Sequence, residues 1–123
     1  MHKFLFLFFV CTSLLTLSSC EKEPSTEELN NQLLGTWTLQ SAQRNGQSTE
    51  TLNNFKLEFE NDTLLFSNLS GSREQQTYSV DNRIIQTKGA RMNPEYQIIQ
   101  ISDSTLTLKM YFNDFEFDFE FVK

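Results

Sequence analysis

The chain predicts an all-β fold, eight antiparallel strands closed into an up-and-down barrel behind one short helix. Three observations carry that prediction. From Gly35 onward apolar residues recur at alternate positions, the period of strands with one face buried. Seven turn signals rich in Asn, Asp, Gly and Ser break the alternation at short intervals. The length of 123 residues suits one domain. Eight strands can also pack as two sheets of four, but closure pairs the first strand with the last and leaves no bare edge.

The first 19 residues read as a targeting segment. His2 and Lys3 precede an apolar run from Phe4 to Leu17 that ends in small residues, the pattern of a secretory signal. At about 14 residues the run is short of the about 20 a membrane-spanning helix needs. Leu17-Ser18-Ser19-Cys20 resembles the lipobox of bacterial lipoproteins. The resemblance implies cleavage before Cys20, a diacylglyceryl group on its thiol and acylation of the new amino terminus. Several acyl chains make a firm anchor where one alone would be marginal. The other reading is ordinary secretion with Cys20 as a free thiol. Residues 20–24 then form a polar tether, and residues 25–123 the barrel domain. Glu21-Lys22-Glu23 looks like an export tag of Gram-negative outer-membrane lipoproteins. The expected location is the outer membrane, at its periplasmic face or at the cell surface.

Removing the signal leaves 104 residues from Cys20, with 9 basic and 16 acidic side chains and a net charge of −7. That segment has no His, and its one Cys is its first residue. Imidazole-based acid–base chemistry, Ser–His and Cys–His nucleophiles and most zinc sites therefore lack their groups. The acidic balance argues against nucleic acid. No enzyme activity, cofactor or metal is expected.

Ser25-Thr26-Glu27-Glu28 reads as a capping box, with Leu29, Leu33 and Leu34 on one helical face and Gly35 ending the helix. Strands are expected at 36–44, 54–60, 63–67, 73–80, 83–88, 95–101, 105–112 and 115–122. The turns between them include Asn45-Gly46, Asn61-Asp62, Asp81-Asn82, Lys88-Gly89 and Asn113-Asp114.

A short helix followed by Leu34-Gly35-Thr36-Trp37 at the start of such a strand series resembles the lipocalins. With a lipoprotein tether and a late Asp-Ser-Thr-Leu-Thr-Leu strand, the chain looks like the small bacterial lipocalin-like lipoproteins. The resemblance implies that Trp37 plugs the barrel base beneath the helix and that Gly35 allows close backbone approach. It also implies a barrel that holds an apolar small molecule. Ser102-Asp103-Ser104 stands where typical lipocalins carry Thr-Asp-Tyr. Lys123 is the cation available where they carry an Arg against the Trp.

The last strand presents Phe115, Phe117, Phe119 and Phe121 on one face, a stripe about 20 Å long. It is either barrel core or, with Phe55, Phe66, Tyr96 and Met110 opposite, the lining of a ligand cavity. Asp114, Glu116, Asp118 and Glu120 alternate with the Phe residues as a solvated face. That face keeps a Phe-rich strand from pairing with other chains. Lys88-Gly89-Ala90-Arg91 is a solvated loop, or a rim that pairs with a ligand carboxylate. The function expected first is a membrane-anchored binding module for a small apolar ligand. The second is an interaction lipoprotein whose filled barrel presents loops to a cell-envelope protein.

Overall fold

The computed structural model describes residues 25–123. The signal segment (1–19), Cys20 and the remainder of the tether (20–24) lie outside the described residues.

Helix α1 (Thr26–Leu33) begins with the expected capping box, in which the Ser25 side chain accepts from the Glu28 amide and the Glu28 carboxylate accepts from the Ser25 amide. Leu29 and Leu33 are buried. Leu34 is not on that face, because it is the C-cap, with extended backbone and a half-exposed side chain.

The strands are β1 (Gly35–Arg44), β2 (Gln47–Ser48), β3 (Lys56–Phe59), β4 (Leu64–Ser67), β5 (Glu74–Asp81), β6 (Ile84–Lys88), β7 (Glu95–Ile101), β8 (Thr105–Phe112) and β9 (Phe115–Val122). Eight of them form the barrel. The addition to the expected set is β2, a two-residue arm that folds back on Gln43 and Arg44 across the Asn45-Gly46 turn. Every pairing is antiparallel, and β1 closes the ring by pairing with both β3 and β9. The β1–β9 seam runs from Thr38↔Val122 to Arg44↔Phe117.

Two irregularities reset the alternation. The seam shifts register between Leu39 and Ser41, so that Leu39 and Ala42 both face inward. A second shift between Ile98 and Gln100 puts Ile98 and Ile101 inside and leaves Ile99 46% exposed. The β5–β6 turn also lies one residue later than expected. Asp81 pairs with Ile84, and Asn82 and Arg83 take positive φ angles of 55° and 65°.

One core cluster fills the barrel. At the base, Leu29 and Leu33 of α1 join Trp37, Leu57, Leu106 and Phe121 in the core. Above them Phe55 meets Phe119 and Phe121 edge-on at 5.3 and 5.4 Å, a favoured aromatic geometry. The turns 60–63, 82–83 and 102–104 lie at the base. The connections 45–55, 68–73, 89–94 and 113–114 lie at the opposite end, the mouth.

Candidate functional site

The base is a closed joint. Trp37 is fully buried, and its Nε1 donates to the Leu33 carbonyl at 2.8 Å, satisfying an acceptor that the helix end leaves open. Lys123 Nζ lies 4.7 Å from the centre of the Trp37 ring, within cation–π range. Gly35 has φ +118°, and a Cβ there would stand 2.7 Å from Lys123 Cε. Side-chain-free backbone at 35 thus lets the terminal Lys lie across the plug.

The mouth is different. The Phe stripe divides along its length: Phe119 and Phe121 are buried, Phe117 is partly buried and Phe115 is 40% exposed. Phe117 stacks on Phe119 with centroids 5.8 Å apart and planes 16° from parallel. Phe115 leans on Phe117 at 6.3 Å and carries the Arg44 guanidinium 5.1 Å above its ring. Across the hairpin Phe112 pairs with Phe115 and is 40% exposed, while Tyr111 is 64% exposed. Beside this rim is a cavity of about 570 Å³ lined by residues 91–95 and 110–113. That volume falls within the range of small-molecule sites.

The residues singled out from sequence as ligand contacts separate into three groups. Phe55, Tyr96 and Phe119 are packed in the core. Met110 lines the mouth cavity, with Phe117 and Phe115 on the adjoining strand. Phe66 is a correction, since it does not face the interior. Leu65 and Ser67 point in, and Phe66 lies between them on the outer face. There the Arg73 guanidinium covers its ring at 3.9 Å, while Arg73 bonds both oxygens of Glu58 at 2.9 and 3.1 Å. The Arg73 hydrogen bond, opposed by partial burial, holds the Glu58 carboxyl below its usual range.

Of the loop Lys88-Gly89-Ala90-Arg91, Arg91 is placed on the lining of the mouth cavity. Arg91 Nε donates to Glu74 at 2.9 Å and Nη2 to Ser72 Oγ at 2.9 Å, so this cation ties the loop to β5. On the outer face of β8 and β9, Lys109 pairs with Glu116 at 2.7 Å and Asp118 at 3.4 Å. Among the described residues no three carboxylate, His or Cys side chains converge on a metal position.

Sequence reasoning missed the polar groups inside the wall. Ser67, Gln76 and Thr87 are buried on β4, β5 and β6. Gln76 Nε2 donates to the Met92 carbonyl at 2.9 Å and to Asn93 Oδ1 at 3.1 Å, and Thr87 Oγ1 to the Pro94 carbonyl at 2.8 Å. The signal was present: Gln76 shares its parity with Tyr78 and Val80, so the strand that buries them buries it too. Burial pushes the Tyr78 phenol up to about 12 and the Tyr96 phenol still higher.

Other hollows suit an apolar ligand less well. One of about 660 Å³, between the β1 bulge and residues 48–54, is lined mainly by Gln, Ser, Thr, Glu and Asn side chains. Another of about 500 Å³ lies between α1 and β7 and holds Glu28, Arg83 and Gln100.

A family model described as a lipocalin-like domain matches residues 33–108, more than half of the chain. Neither the comparison with curated proteins nor that with solved structures yields a match.

Proposed function

The chain belongs to the lipocalin-like domain family, and from that premise we propose that it is a non-enzymatic, lipid-anchored module that takes a small apolar ligand at its barrel mouth. The observation that carries this reading is the cavity of about 570 Å³ beside half-exposed Phe112 and Phe115. Ligand enclosure there removes aromatic surface from water, at about 25 cal/mol per Å². The interior below is filled by Phe55, Tyr96 and Phe119, so the ligand sits high in the barrel.

The anchor in this reading is Cys20, within the lipobox-like Leu17-Ser18-Ser19-Cys20. Helix α1, which follows these residues in the chain, packs at the base, the end opposite the mouth. An outer-membrane location follows from the export-tag resemblance of Glu21-Lys22-Glu23. Cys20→Ala should move the protein from the membrane fraction to the soluble fraction, and an unchanged distribution would overturn the anchor.

The ligand reading is tested on the chain from Glu21 onward, which holds the whole helix and barrel, titrated with fatty acids and aromatic probes. A ligand at a hundredfold excess over Kd adds about 2.7 kcal/mol, a rise on the order of 10 °C for a domain of this size. A saturating rise that Phe112→Glu removes, with the free variant still folded, supports the site. If no apolar compound shifts the melt, the second reading takes over. The exposed Tyr111, Phe112 and Phe115 rim then serves as a contact for a cell-envelope protein.

A further inference from the structure

Three aromatic rings of the barrel are each faced by a cation of the chain. Arg44 lies over Phe115 at 5.1 Å, Arg73 over Phe66 at 3.9 Å and Lys123 over Trp37 at 4.7 Å. Tyr111 and Phe112 are 64% and 40% exposed and both line the mouth cavity. Among the described residues no Lys or Arg lies over either ring. The carboxylates divide in the same way. Glu58, Glu74 and Glu116 hold Arg73, Arg91 and Lys109. Glu95, the carboxylate on the cavity lining, is in no ion pair among the described residues. The other charge on that lining is Arg91. Its Nε donates to Glu74 and its Nη2 to Ser72, so its charge is balanced by a residue that does not line the cavity.

Strand alternation sets where these groups stand. Tyr96 and Met110 are buried cross-strand partners. Glu95 precedes the first and Tyr111 follows the second, so both project from the outer face, beside each other across β7 and β8. Phe112, one residue further, returns to the parity of Met110 and pairs with Phe115. The cavity therefore wraps the lip of β8, with an apolar inner part at Met110 and Phe112 and a polar outer part at Glu95 and Tyr111. A cation at the outer part is attracted both by the carboxylate and by the face of the phenol ring. Because that part is open to water, the charge keeps much of its hydration and the cost of burial is small. A ligand carboxylate there would meet Glu95 with the same sign.

We propose that the outer part of the mouth cavity is a cation-binding subsite and that the ligand is a small amphiphilic amine. Its ammonium group lies against Glu95 and the Tyr111 ring, and its apolar body lies over Met110 and Phe112. The proposal rests on the small-ligand reading of the mouth and specifies the charge of the ligand's polar end.

The test is calorimetric titration of the chain from Glu21 onward with octylamine, octanol and octanoate, which share one apolar body and differ in charge at neutral pH. The amine should bind about tenfold more tightly than the alcohol, and the carboxylate more weakly than either. Glu95→Gln changes an exposed side chain at the start of β7 and should leave the melting temperature of the free protein unchanged. It should weaken the amine about threefold or more, strengthen the carboxylate and leave the alcohol as it was. Glu120→Gln removes the same charge from the outer face of β9 and should alter none of the three. An equal loss with Glu120→Gln makes the preference a property of net charge and overturns the subsite. Equal binding of amine and alcohol overturns it while leaving the small-ligand reading standing, and so does a preference that survives Glu95→Gln. Failure of all three compounds to bind overturns both readings.

Discussion

Trp37 shows how few atoms close one end of this barrel. Its ring fills the space beneath α1, its Nε1 takes the last free carbonyl of the helix, and Lys123 lies over its face. Trp37→Phe keeps an aromatic ring but abandons the Leu33 carbonyl and leaves a void. The expected loss is about 1–3 kcal/mol by urea denaturation. Lys123→Ala removes a cation at an exposed chain end and should cost about 0.5–1 kcal/mol. Gly35→Ala combines two penalties, a backbone angle that side chains avoid and a contact with Lys123 Cε. Strain at such an angle is worth about 1–3 kcal/mol. The double variant Gly35→Ala, Lys123→Ala separates the two: a loss that persists there belongs to the backbone, and one that vanishes belongs to the contact.

At the scale of the element, β3 and β4 are short, and their outer face is fastened by Glu58, Phe66 and Arg73. Glu58 and Phe66 are cross-strand partners, and Arg73 reaches both, by hydrogen bonds to one and by stacking on the other. Because the folded-state carboxyl of Glu58 lies below its ordinary value of 4.5, the clamp's contribution is present at neutral pH. It fades as the pH falls through the lowered value. Glu58→Gln should therefore have a shallower fall in melting temperature on the acid side than the parent chain, and identical acid limbs would exclude the clamp. The same elements explain an error of sequence reading. In Leu64-Leu65-Phe66-Ser67 both faces carry apolar side chains, so composition does not say which set faces the core. Pairing with β3 and β5 decides it, and Leu65 is the buried member. The bulges are a second such case. Each inserts a residue that breaks the parity, and Gln40 and Ile99 have no side-chain character that announces it.

At the scale of the whole molecule, stability depends on the seam between the first and last strands. Phe119 lies opposite Ala42 in that seam and stacks with Phe117 in the middle of the core. Phe119→Ala should cost about 3–5 kcal/mol by chemical denaturation. Phe115→Ala, four residues away on the same face but 40% exposed at the mouth, should cost about 0.5 kcal/mol or less. Equal losses would mean that the stripe is a single packed ladder rather than core at one end and rim at the other. By itself the sequence determined the helix with its capping box, seven of the turn regions, the eight barrel strands within a residue or two, and which face of the last strand is aromatic. These are local properties, written in periods of 3.6 and 2 and in residues that favour special backbone angles. Only the tertiary structure decided that the stripe is core at its base and rim at its mouth, that Phe66 faces out, that Arg91 holds a loop, and that Glu95 and Tyr111 share a cavity with Met110 and Phe112. Those outcomes depend on which strands become neighbours and in what register, and a chain read one residue at a time carries the alternation but not the partner that gives each face its surroundings.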